Sequence, residues 1–133
     1  MSLWKWNNVE LEVDMEDYDF LQRYDDAFKK MDVEEKAIQK AGTSISILKD
    51  YCMLFYHLFD HIFGEGTGER LFDKKLNVRI CENCYDSFIR HCAEQNIEAN
   101  RRRAAVMAKY TPQNREQRRR QQKKRNKPYY NKK

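Results

Sequence analysis

Between Thr43 and Gly64 the apolar residues recur at intervals of three and four. Ile45, Leu48, Cys52, Phe55, Phe59 and Ile62 make one stripe, and Ile47, Tyr51, Leu54 and Leu58 make an adjacent one. That spacing follows the 3.6-residue turn of an α-helix rather than the alternation of a strand. Two neighbouring stripes are too wide to be covered from one side, so the segment predicts the central helix of a bundle. Thr43, Ser44 and Ser46 offer capping hydroxyls at its start, and Gly64 stops it.

The flanking segments supply the other elements. Trp4, Trp6, Val9, Leu11 and Val13 alternate with polar residues on both sides of Asn7-Asn8. Paired asparagines tolerate the positive φ of a two-residue turn, so a short β-hairpin is expected. From about Asp17 to Ala41 the pattern is helical, with Leu21, Tyr24, Phe28, Met31 and Ile38 on one face and Glu34-Glu35 interrupting it. Asp14 or Asp17 can cap this helix, and Gly42 suits its end. A glycine-containing loop, Glu65 to Gly68, leads to a short helical turn around Glu69 to Phe72. Asn77 then caps a last long helix with a buried stripe of Val78, Cys81, Tyr85, Phe88 and Cys92, joined by Ile89 and Ile97. The apolar periodicity fades beyond Arg101. With 4 Gly and 2 Pro in 133 residues, the chain lacks the turn residues an all-β fold needs. The fold class is therefore mainly α: a bundle of three to four helices with a short N-terminal β-hairpin over residues 1–110, followed by a basic tail over 111–133.

Charge divides the chain more sharply than its net of +5 suggests. Residues 1–100 carry 12 basic and 20 acidic side chains, net −8, and residues 101–133 carry 14 basic and one acidic, net +13. Residues 111–133, with Gln, Asn and only Tyr129 and Tyr130 as aromatics, cannot bury enough apolar surface to offset chain entropy and are expected to be disordered unless held by a partner. No apolar run approaches a membrane span; the longest is Tyr51 to Tyr56. The N-terminus lacks the basic and apolar regions of a secretory signal, which predicts a cytosolic protein without a membrane partner.

Cys81, Cys84, His57 and His61 form the one conceivable zinc set, since two thiolates three residues apart on a helix can face one tetrahedral ion. Against it, no second Cys-x-x-Cys exists, and Cys81 and Cys92 already have places in the apolar stripe as small hydrophobes. Reduced, metal-free cysteines and no cofactor are expected. His57, Asp60 and His61 suggest acid–base partners only in isolation, because no phosphate loop or nucleophile elbow accompanies them. No enzymatic activity and no catalytic residue are expected.

Partner binding is the remaining class. Tyr51, Phe55, Tyr56, Phe59 and Phe63 are more bulky aromatics than a small core requires, and some are candidates for a binding groove or a self-association surface in a homo-oligomer. In the tail, Arg115, Arg118, Arg119 and Arg120, with Lys123, Lys124, Arg125 and Lys127, can neutralise nucleic-acid phosphates. The same tail can instead lie on an acidic protein face such as Asp14, Glu16, Asp17, Asp19, Asp25 and Asp26, or simply be solvated.

The run His57-Leu58-Phe59-Asp60-His61-Ile62-Phe63-Gly64-Glu65-Gly66-Thr67, with Phe72 following, resembles a segment of small proteins encoded in the tail modules of tailed phages and prophages. Those proteins open with a hairpin like Asn7-Asn8-Val9-Glu10-Leu11. They end in a Tyr-Ser/Thr-Pro-Asn-Arg segment and a Gln-Arg-Arg patch, which here reads Tyr110-Thr111-Pro112-Gln113-Asn114-Arg115-Glu116-Gln117-Arg118-Arg119. Gln113 is an insertion in that pattern, and the Cys-rich last helix and the basic run from Arg120 onward depart from it. The resemblance implies a non-enzymatic tail assembly chaperone. Such a protein binds the tape measure protein and keeps it soluble in the cytoplasm of the bacterial host during tail assembly. The competing function is a phage-encoded regulator or anti-defence factor that binds nucleic acid, or a nucleic-acid-guided complex, through the basic tail.

Overall fold

The computed structural model describes residues 2–38 and 44–110. The expected caps at Gly42 and Thr43 and the whole of 111–133 lie outside the described residues. The chain is mainly helical, with the order β1 (Ser2–Trp6), β2 (Val9–Val13), α1 (Tyr18–Ile38), α2 (Ser44–Phe63), α3 (Thr67–Phe72) and α4 (Val78–Tyr110). It divides into two compact units, Met1–Asn96 and Ile97–Lys133, so the division falls inside α4. Among the described residues no helix is long and apolar enough to cross a membrane.

The hairpin forms as its turn chemistry requires. Asn7 and Asn8 sit at φ 49° and 60°, the two left-handed positions of a type I′ turn. They bring Trp6 opposite Val9 and Trp4 opposite Leu11 in antiparallel register. Trp4 is buried and is the hairpin's anchor. Its ring stacks on Phe59 at 5.5 Å and tilts against Phe88 at 5.1 Å, while its indole N–H donates to Ser87 Oγ at 3.0 Å.

Around that indole the first unit builds an aromatic core. Phe59, Phe72 and Phe88 are among the largest fully buried side chains. Phe59 meets Phe72 and Phe88 edge-on at 5.9 and 5.4 Å, geometries that favour the ring quadrupoles. Helix ends follow from local sequence. Asp17 Oδ2 accepts from Phe20 N at 3.0 Å and Asn77 Oδ1 from Ile80 N at 3.0 Å, each satisfying an orphan donor of a first turn. Gly64 takes φ 113°, which closes α2.

Helix α3 lies unusually close to α2. Gly68 is buried, and a Cβ at that position would fall 2.8 Å from the Tyr56 Cα. Gly68→Ala should therefore force the backbones apart and destabilise the fold by about 1–3 kcal/mol, as overpacking does; urea unfolding of the two proteins checks this.

Three sequence expectations are corrected. The first two turns of α2 are exposed, with Ile45 at 83 % and Ile47 and Leu48 also accessible, so its wide stripe is covered only from Cys52 onward. On α1 the fully buried residues are Phe20 and Ala27, while Leu21 is exposed. Apolar identity at helical spacing does not say where on a helix its neighbours stop. Finally, Ile97, assigned to the buried stripe of α4, is exposed; the helix itself runs to Tyr110 although its periodicity fades, because Ala, Arg, Met and Lys are strong helix formers. In the second unit, Arg103 donates to Asn100 Oδ1 at 2.7 Å and to the Ala99 carbonyl at 3.4 Å.

Candidate functional site

A groove of about 510 Å³ opens in the first unit among α1, α2 and α4. Each helix contributes side chains at the spacing that puts them on one face. Helix α1 supplies Phe28, Met31, Asp32 and Glu35; α2 supplies Tyr51, Leu54 and Phe55; α4 supplies Glu82 and Tyr85. Leu54 and Phe55 are fully buried and form the floor, whereas Phe28, Met31, Tyr51 and Tyr85 are half-buried and expose part of their apolar surface.

The rings hold one another in place. Tyr85 meets Phe55 edge-on at 5.4 Å and Phe28 at 6.2 Å, and Tyr51 stands perpendicular to Phe55 at 5.3 Å. Tyr51 Oη donates to Glu82 Oε2 at 2.7 Å across the α2–α4 gap. Burial, then the Glu82 carboxylate, pushes the Tyr51 hydroxyl up to about 12, so it remains a proton donor. Burial and then Glu35 raise Tyr85 as well. Asp32, Glu35 and Glu82 thus give an apolar floor an acidic rim, and among the described residues no basic side chain lines it. Such a surface suits an apolar or aromatic anchor carried on a basic segment.

Of the five aromatics singled out in the sequence, the structure brings Tyr51 and Phe55 to this groove. It places the others in packing roles: Tyr56 is buried, with its hydroxyl donating to the Lys75 carbonyl at 2.5 Å, Phe59 lies in the core, and half-buried Phe63 packs on Trp4, Phe20 and Phe88. Arg115, Arg118, Arg119 and Arg120 lie outside the described residues. The acidic segment has local duties: Asp14 accepts from Glu16 N, Asp17 caps α1, and Asp25 pairs with Lys29.

The conceivable zinc set does not assemble. His57 Nδ1 lies 2.7 Å from Glu34 Oε2, joining α2 to α1, while Cys81 and Cys84 are in the core. Among the described residues no three His, Cys, Asp or Glu side chains are grouped to hold a metal ion. Asp60 accepts from Gly68 N at 2.8 Å and so ties α2 to the start of α3.

All four cysteines are free and buried. Burial pushes the Cys92 thiol up to about 12, and burial with neighbouring Cys52 pushes Cys81 up to about 12; Cys84 is raised too. Since the thiolate is the nucleophile, these groups are held inert. The native protein at pH 8 should react with a chromogenic disulfide reagent at least about 100-fold more slowly than the unfolded chain, in which all four thiols titrate; a stopped-flow comparison measures this.

Sequence reasoning missed two sets of residues. The first is the acidic rim, because Glu34-Glu35 reads as an interruption of a stripe rather than as the edge of a groove. The second is a polar ladder on α4. Ser87, His91 and Gln95 recur every four residues and face the hairpin segment. Besides the Ser87 bond to Trp4, His91 Nε2 lies 2.7 Å from Ser2 Oγ, and Gln95 Nε2 donates to Ser2 Oγ at 2.8 Å and to the Val13 carbonyl at 2.7 Å. Gln95 Oε1 accepts from Met15 N. The four-residue spacing of hydrogen-bonding side chains, Ser87, His91 and Gln95, beside the Phe88–Cys92 stripe was the available signal.

The chain belongs to a family of unknown function, DUF6673, whose model matches residues 7–123. Comparison with curated proteins and with solved structures finds no match.

Proposed function

We propose that this member of the family is a non-enzymatic tail assembly chaperone, which binds the tape measure protein in the cytoplasm of the bacterial host and keeps it soluble during tail assembly. The observation that carries the reading is the groove among α1, α2 and α4, with half-buried Phe28, Met31, Tyr51 and Tyr85 available to a client. A tape measure is a long helical protein with apolar seams, and seating an amphipathic helix in an apolar groove shields such a seam reversibly. The identity of the client rests on the resemblance of His57 to Thr67 and of Tyr110 to Arg119 to tail-module proteins.

The test is co-expression with the tape measure protein from the same genome. The two should co-elute, and Met31→Glu combined with Tyr85→Ala should weaken the complex at least about tenfold while leaving the helical circular dichroism unchanged, because hot-spot anchors contribute about 2 kcal/mol or more each. Soluble tape measure in the absence of this chain, or a complex indifferent to the double variant, would sink the reading.

A second reading is supported by the charge of residues 101–133, net +13, and by exposed Arg101, Arg102 and Arg103 on α4. A nucleic-acid-binding regulator would lose affinity steeply between low and moderate salt, whereas a client held by apolar burial would not.

A further inference from the structure

The groove has the inverse chemistry of one segment of the chain itself. Its floor is apolar, and among the described residues that line it the charged ones are three carboxylates, Glu35, Glu82 and Asp32, the last paired with Lys36 at 3.1 Å. Within residues 111–133 the only aromatics are adjacent, Tyr129-Tyr130, and they are bracketed by Lys127 on one side and Lys132-Lys133 on the other. A solubilising basic tail has no need of paired aromatic rings, and Pro128 before them stiffens the backbone, which lowers the entropy lost on docking. An opening of 510 Å³ falls in the range that takes ligands with ring-sized anchors.

We infer that the groove of one copy is occupied by Lys127–Lys133 of a second copy, with the tyrosine rings against the half-buried Phe28, Met31 and Tyr85 and the lysines against Glu35 and Glu82. Residues 1–100, net −8, and residues 101–133, net +13, draw different copies together at long range. Each copy has one groove and one such segment, so reciprocal exchange closes at two copies and leaves neither groove open. The occupant is a placeholder, since any client with a better apolar anchor displaces it. The inference does not depend on which client that is.

The test uses the full chain with the photo-crosslinking residue p-benzoylphenylalanine in place of Tyr129, mixed as equal parts of isotopically heavy and light protein. Irradiation should join position 129 of a heavy chain to groove peptides containing Met31 or Tyr85 of a light chain. The yield should fall at least fivefold in chains that also carry Glu35→Lys and Glu82→Lys. In the unmodified chain, sedimentation should show a dimer whose dissociation constant rises at least tenfold with Tyr129→Ser and Tyr130→Ser, while an unchanged helical circular dichroism and melting temperature show that the variant is folded. Crosslinks confined to one chain, crosslinks centred on residues 14–26, or an association unchanged by the tyrosine substitutions would each overturn the inference. Failure to bind a tape measure would leave this result untouched, which separates it from the proposed function.

Discussion

Phe59→Ala should destabilise the protein by about 3–5 kcal/mol and lower its melting temperature by more than about 10 °C, or prevent folding outright. The ring is fully buried and in contact with Trp4, Phe72 and Phe88, one partner each from β1, α3 and α4. Its removal opens a cavity at the point where the elements meet, and none of the rigid rings around it can collapse into that space. The matched control is Phe55→Leu in the groove floor, which keeps most of the volume and should cost less than about 1.5 kcal/mol. Thermal and denaturant unfolding of the three proteins measures the difference. Equal effects would mean that the core is not centred where the structure puts it.

Gln95→Leu should cost about 2–4 kcal/mol, a large effect for a residue that is only half-buried. Its amide is the sole described partner for the Met15 N–H, and it also engages Val13 O and Ser2 Oγ. A leucine of similar size fills the space but strips partners from backbone groups, and each group left unsatisfied costs about 1–3 kcal/mol. Hydrogen exchange gives the sharper readout, since protection should be lost at Met15 and along β1 and β2 before it is lost in α2. A uniform loss of protection across the unit would show instead that the ladder is not what fastens the hairpin.

Much of the architecture was legible because it depends on near neighbours. The Asn7-Asn8 turn, the Asp17 and Asn77 caps and the Gly64 stop each follow from a side chain acting on its own few residues of backbone. The candidate site was harder to read. Tyr51, Phe55, Tyr56, Phe59 and Phe63 all read alike as surplus aromatics, but Phe55, Tyr56 and Phe59 are buried, and of the five only Tyr51 and Phe55 border the groove. Which side of α2 meets α3 is decided by Gly68, a residue in another element, through a contact at closest approach. Likewise Asp32, Glu35 and Glu82 become a rim only when α1 and α4 are set side by side. Helical periodicity cannot carry that information, because it is a property of one segment at a time.

The polar ladder also constrains how the chain reaches its fold during synthesis. Trp4 and Ser2 emerge from the ribosome first, yet their partners Ser87, His91 and Gln95 lie 83 to 93 residues later. Until α4 has been made, the Trp4 indole has Phe59 and Phe63 of α2 to stack on but lacks Phe88 and the Ser87 hydroxyl, and the hairpin lacks the Gln95 amide that fastens it. Docking so distant in sequence is slow to form, and nascent chains with exposed apolar surface are prone to aggregate. The unit therefore locks only when nearly all of it exists. A ribosome-stalled chain ending before Phe88 should be digested readily by protease, whereas one in which Gln95 has cleared the exit tunnel should resist.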